Sequence, residues 1–279
     1  MKRIVAFLVL KWVFTGCATL SSFFLFAQES NVYELSDPTT MRTRVPIDLE
    51  SYFFFAGDQF YALRLGFVYG LQNERHSLGL SIPYVHNIFT QDYDGFENTT
   101  GIGDIKMVYT GVPYLNKDGI GLTKVAIVME ATAPTGEYRL GRGAGAWLFK
   151  PGIIFAYKLA PEIGIYPEIK FQFSGQDVNS QGGGDLPDPD APDKDGKMQN
   201  LYISLPVVLV LDEWDGWFSL NGQYARSFTE QTDFFFLRMD IGKMMGSRSS
   251  ASLNISKFIA GQPRINVMVQ ARFQFLLGK

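Results

Sequence analysis

Hydrophobic and polar side chains alternate along most of this chain with a period of two. In the stretch from Gly164 to Gly175, Ile165, Pro167, Ile169, Phe171 and Phe173 share one side, and Tyr166, Glu168, Lys170, Gln172 and Ser174 share the other. That is the period of an extended strand, because successive Cβ atoms point to opposite faces. From Pro46 onward the plan repeats as a long alternating segment, a turn and another segment. It predicts strands at 46–55, 59–72, 76–89, 102–112, 120–133, 146–158, 163–175, 198–211, 217–228, 234–244, 250–260 and 265–276. These are about twelve, most of them 10–14 residues long, where an average soluble strand has ~5–6. Crossing a bilayer core takes ~9–11 tilted residues per strand.

The connections carry a second pattern. The long ones, Thr90–Gly101, Pro134–Gly145 and Gln176–Lys197, all follow odd-numbered strands, and those after even strands are shorter. Outer-membrane barrels show this asymmetry, with short periplasmic turns and long external loops. One face of the strands reads Tyr61, Leu63, Leu65, Phe67, Tyr69 in the second and Leu201, Ile203, Leu205, Val207, Leu209, Leu211 in the eighth. The other mixes Gly66, Gly70, Ser81, Gly152, Gly242 and Ser252 with charges of both signs. Glycine and serine suit a crowded interior rather than a water-facing skin. The predicted fold is all-β: a closed antiparallel transmembrane β-barrel of about twelve strands, apolar face on lipid and polar face in the lumen. Aromatic girdles are expected from Phe55, Phe60, Tyr61, Tyr84, Phe89 and Trp147 at the loop side and Tyr69, Tyr109, Tyr157 and Trp217 at the turn side.

Composition fits this picture, with 19% charged residues and 15% aromatics. The first residues combine basic Lys2 and Arg3, an apolar region interrupted by Lys11, and the small Ala27, as in a signal peptide. The expected organisation is therefore a signal peptide at 1–27, a periplasmic N-terminal segment at 28–45 and the barrel at 46–279. Without Lys2, Arg3 and Lys11, the 25 basic residues fall to 22 against 28 acidic ones, a net of −6. That balance argues against a nucleic-acid partner. Cys17 lies within the signal, so the exported chain has no disulfide to stabilise it. No apolar run after Gln28 is long enough for a membrane-spanning helix. The expected partners are outer-membrane lipids, the barrel-assembly machinery and a small-molecule substrate that the sequence does not identify.

Strand parity places Asp48, Glu50, Arg64, Asp104, Lys106, Lys124, Glu130, Lys150, Glu168, Lys170, Arg238, Asp240 and Arg272 in the lumen. Acids and bases are interleaved, often two apart, as in Glu168/Lys170 and Arg238/Asp240. Such charges either pair across the interior and brace it, or line a narrow selective passage. In the second reading the cations orient anionic or polar groups, while Asp104, Glu130, Glu168 and Asp240 hold those cations in place. The alternative is a structural or adhesive barrel plugged by its own salt bridges. Pro83, Pro151, Pro167 and Pro206 fall inside strands and each implies a bulge or kink. Pro151 and Pro167, on adjacent strands and both facing lipid, mark a seam that could let an apolar ligand leave sideways.

The acidic loop 176–197 contains "DKDG" but lacks the full spacing of a calcium loop. No cofactor or metal is expected. His76 and His86 are the only histidines and there is no cysteine after Cys17, so the chain offers little for nucleophilic or metal-assisted catalysis and is not expected to be an enzyme.

Two stretches, "GIGDIKMVY" at Gly101–Tyr109 and "EATAPTGEYRLGRG" at Glu130–Gly143, resemble the outer-membrane barrel family labelled "MetA-pathway of phenol degradation". There a Gly-x-Gly-Asp opens one strand and a strand ending in Pro-Thr-Gly leads into an external loop. Here those residues are Gly101, Gly103 and Asp104, then Pro134, Thr135 and Gly136. The resemblance implies a channel or transporter for small, aromatic or apolar compounds, and brings no catalytic residues. The C-terminal "LLGK" after Phe275 departs from the terminal aromatic common to such barrels.

Overall fold

The computed structural model describes residues 32–55, 57–71, 75–89, 98–116, 120–175, 198–261 and 265–277. The expected signal peptide at 1–27 and the acidic loop 176–197 therefore lie outside the described residues. One sheet contains every strand: β1 (Arg44–Phe54), β2 (Gln59–Gly70), β3 (His76–Ile88), β4 (Thr99–Ile102), β5 (Ile105–Leu115), β6 (Gly121–Ala133) and β7 (Leu148–Ala160), then β8 (Ile163–Ile165), β9 (Glu168–Ser174), β10 (Gln199–Leu211), β11 (Gly216–Ser227), β12 (Thr232–Met244), β13 (Ser249–Gly261) and β14 (Ile265–Leu276). Neighbours pair antiparallel in chain order, and the last strand pairs with the first, from Arg44 opposite Leu276 to Phe53 opposite Val267. The barrel is closed. β4 with β5 forms one stave and β8 with β9 another, so the sheet is a twelve-staved barrel.

The two broken staves trace to proline. Pro83 on β3 faces the Gly103–Asp104 gap: β3 pairs with β5 up to Ser81 and with β4 from Tyr84. Its carbonyl accepts from Gly103 N (2.9 Å), but it has no N–H to return. The other gap, Tyr166–Pro167, is flanked by Pro206 on β10, whose carbonyl accepts from Tyr166 N (2.8 Å). Pro151 leaves a smaller mark. The β7–β9 ladder skips Lys150 and Pro151 and resumes with Phe149 opposite Phe173 in unchanged register. Phe155 N meanwhile donates to Pro167 O at 2.9 Å, so the seam is bridged on both sides of Pro151.

Exposure reports which face is which. Leu65 and Leu205 on the outer rows are 53% and 50% exposed, while Asp48 and Glu50 inside are 4% and 8% exposed. Hydrocarbon offers no hydrogen bonds, so mostly apolar outer rows over a closed ladder are the arrangement a bilayer stabilises. Two girdle residues depart from expectation. Trp217 is 3% exposed and points inward, and Phe60 turns into the lumen, edge-on to Tyr52 at 5.2 Å. Both share strand parity with inward polar residues, Ser219 and Asn221 in one case and Arg64 in the other. Exposed Trp214 occupies the turn-side position instead, with Lys243 over its ring at 5.4 Å.

Before β1, a short helix α1 (Val32–Ser36) and residues 37–43 turn into the turn end of the barrel rather than away from it. Helix α1 packs against β10, β11 and β12. Val32, Leu35 and Met41 join an apolar collar that includes Val112, Ile154, Val208, Val210, Met244 and Leu276 from staves around the circumference. Each such side chain contributes about 1.5–3 kcal/mol on burial. Gly70 gives the segment room, since a Cβ there would lie 1.6 Å from Met41 O.

The outward face yields a direct test. Leu205→Arg should destabilise the barrel in phosphatidylcholine vesicles by about 2–4 kcal/mol, whereas Leu205→Phe should be nearly neutral; reversible denaturant titration of both variants measures the difference.

Candidate functional site

The polar rows of the twelve staves converge on a lumen whose charges are mostly engaged with one another. On one wall Glu130 of β6 accepts from Lys106 at 3.5 Å and Lys170 at 3.0 Å. Lys170 also contacts Glu168, two residues earlier on β9, and Ser204 Oγ donates to the other Glu168 oxygen at 2.9 Å. Lys150 lies over the Tyr202 ring, 3.9 Å from its centroid. On the opposite wall Arg64 donates to Glu50 at 3.2 and 3.3 Å, and Tyr52 Oη donates to the same carboxylate at 3.0 Å. Arg272 grips Asp48 with two bonds of 2.6 and 3.0 Å across the closing seam. Register explains this wall, because Asp48 is directly opposite both Arg64 and Arg272.

The Arg238/Asp240 pair suggested by spacing does not form. Asp240 accepts instead from the Trp217 indole N–H at 2.7 Å. Trp217 can reach it because the residue opposite is Gly242, where a Cβ would come within 2.1 Å of the indole. Arg238 faces the lumen from β12 and makes no hydrogen bond or ion pair among the described residues. Lys124 binds the N-terminal segment: its ammonium meets Asp37 at 2.5 Å, and Thr39 donates to the other Asp37 oxygen from N (2.7 Å) and Oγ1 (2.6 Å).

Asp104 lies at the external end, where it organises a loop. Its two oxygens accept from Gly136 N (2.9 Å) and Ala144 N (2.6 Å). Thr135 completes the joint, donating from Oγ1 to Gly103 O and accepting from Ile105 N. Arg142 donates to Thr100 O at 3.1 Å and to Glu137 at 2.6 Å. Asn87 of β3 donates to Gly141 O at 2.9 Å. The two glycine-rich motifs noted in the sequence are thus one structural joint. Gly143 must be glycine because a Cβ would lie 2.4 Å from the Asp104 carboxylate.

Between the N-terminal segment and the charged walls lies a cavity of about 220 Å³, lined by Leu35, Pro38, Trp217, Arg238, Asp240 and Arg272 among others. Asp37 and Trp217 belong to this site yet are absent from the sequence expectation. The inward parity of Trp217 with Ser219 and Asn221 was the available signal, whereas nothing in the spacing of Asp37 points at Lys124, 87 positions on. Both histidines face outward at strand ends, His76 on the Tyr109 hydroxyl (2.8 Å) and His86 on that of Thr100 (2.7 Å). Neither reaches the lumen.

No sequence profile of a protein family matches the chain, and no curated protein resembles it in sequence. The fold, by contrast, has solved counterparts. An outer membrane channel from Pseudomonas putida F1 superposes with a TM-score of 0.63 at 14% identity, covering 85% of this chain and 95% of that one. The NanC porin gives 0.55 at 10% identity over 84% and 100% of the two chains. The KdgM porin, solved in complex with disordered oligogalacturonate, gives 0.52 at 8% identity over 84% and 100%. At these identities the likeness is one of fold: the chain has the closed antiparallel barrel of outer-membrane proteins.

Replacing Asp104 by Ala removes both acceptors of the loop joint, worth about 1.5–3 kcal/mol per charge-assisted bond. Trypsin added to whole cells should then cleave within residues 137–145 at least tenfold faster than in the unaltered chain, with barrel folding retained.

Proposed function

We propose that the chain is an outer-membrane channel that passes small molecules through a narrow, mixed-charge lumen closed at its turn end by residues 32–43. The single observation that carries this reading is how that end is closed. A segment that is not part of the barrel wall fills it, held by apolar contacts and the Lys124–Asp37 ion pair, while the wall itself leaves a lumen behind. A barrel braced only for stability needs no such segment; its own side chains suffice at smaller size. The lumen pairs leave Arg238 and the cavity beside it open to a passing solute. The names of the similar structures, an outer membrane channel and two porins, are consistent with passage. The resemblance of Gly101–Tyr109 and Glu130–Gly143 to the phenol-degradation barrels supports small apolar or aromatic compounds among the cargo. The cavity floor of Leu35, Val208 and Trp217 suits such a body. An enzymatic role has no support, since both histidines sit on the outer face.

Conductance in planar bilayers tests the reading. The intact chain should show rare or small openings, and a variant lacking residues 32–43 should conduct several-fold more. A correctly folded deletion variant that stays silent would favour the plugged, non-transporting barrel instead.

A further inference from the structure

We propose that the cavity beside Arg238 is a binding site for a small carboxylate, with the guanidinium of Arg238 as its anchor. The other inward arginines among the described residues have internal acceptors: Arg64 binds Glu50, Arg272 binds Asp48, and Arg44 at the turn end donates to the carbonyls of Thr40 and Arg42. Arg238 alone among them makes no hydrogen bond with a described residue, although it lines the cavity. The acid nearest along its own strand, Asp240, is turned toward Trp217. Glu168, on the far side of the cavity, is shared between Lys170 and Ser204.

A guanidinium held at a lumen wall without an internal acceptor is matched by a ligand that supplies one. A carboxylate fits its planar fork with two parallel bonds. Cross-strand register sets Asn221 beside Arg238, and both line the cavity, so an amide stands next to the seated anion. Polarity falls off toward the turn end, where Leu35, Val208 and Trp217 form the floor. The ligand is therefore amphiphilic: an acid group on Arg238 and a short apolar body on the floor. Space of about 220 Å³ suits a single small acid rather than an oligomer, since about 150 Å³ already holds a benzene ring. A second unsatisfied group lies in the same row of the wall. Asn254 is 2% exposed with both amide atoms unpartnered, opposite Asp240 and Gln270, which line the cavity. Because Leu35 and Pro38 belong to the N-terminal segment, a bound acid touches the residues that close the barrel. The ligand reaches this cavity only if the lumen admits solutes, so the site rests on the channel reading above.

Trp217 makes binding visible without any transport. The chain from Gln28, carrying Trp147→Phe and Trp214→Phe, should show a saturable fluorescence change in detergent on titration with sodium propionate at ionic strength held constant by sodium chloride. Neutral propionamide should give none. Arg238→Gln should weaken propionate binding about tenfold or more, and Arg238→Lys, which keeps the charge but loses the fork, should fall between. Equal responses to propionate and propionamide, or unchanged affinity in Arg238→Gln, would overturn the site. Should the Gln variant fail to fold, unchanged affinity in Arg238→Lys does the same. A chain that binds propionate but never conducts defeats the channel reading and leaves the site standing; one that conducts but ignores propionate does the reverse.

Discussion

Every backbone N–H and C=O that enters hydrocarbon must find its partner within the protein, and a sheet achieves this only when it has no edge. The pairing of β1 with β14 is where this chain meets that requirement. It joins residues 224 positions apart, as Asp48 and Arg272 show, and brings both ends of the barrel sequence to the turn side. From closure follow the outward apolar rows, the inward polar rows and the enclosed lumen.

Closure also decides what the interior can be. A polar wall wound on itself brings charges of both signs into one confined space, where unpaired ions are costly and paired ones hold the wall. Glu130 with its two lysines and Asp48 with Arg272 are the result. The interior is not filled by these pairs alone. At the turn end the lumen wall becomes apolar, and the segment before β1 supplies Val32, Leu35 and Met41 to cover it. At the loop end Asp104 folds the Pro134–Gly145 connection against the wall through Gly136 and Ala144. A polar middle, with a segment filling the turn end and one loop folded onto the wall at the other end, is the architecture on which any selective passage must act.

Much of this was legible in the chain because one variable, strand parity, governs both faces. Glu168 and Lys170 alternate with Ile169 and Phe171, and the structure sets them in and out accordingly. Parity fails where another consideration is allowed to outrank it. Aromatic character alone places Trp217 and Phe60 in the girdles, although their neighbours at i+2 and i+4 point inward. Parity also says nothing about which inward residues meet. Arg238 and Asp240 share a face but not a bond, because Gly242 opens space for an indole that takes the carboxylate first. The N-terminal segment was least legible. Its helix is five residues long, and its burial depends on a collar drawn from distant staves. The two glycine-rich motifs, which the sequence offers only as a family resemblance, form the two sides of a loop joint. Their glycines answer the close approach of Arg142 and Asp104.

The closing seam can be measured directly, and no cysteine follows Cys17 to interfere. Leu49 of β1 and Ala271 of β14 are paired in register on the outer face, and antiparallel partners at ~4.5–5.5 Å between Cα atoms lie within disulfide reach. Leu49→Cys with Ala271→Cys should cross-link on mild oxidation of the membrane-inserted protein, while Leu49→Cys with Leu205→Cys, on a separate part of the wall, should not. A first pair that stays reduced in folded protein, or both pairs linking alike, would mean that the sheet is not closed by β1 and β14.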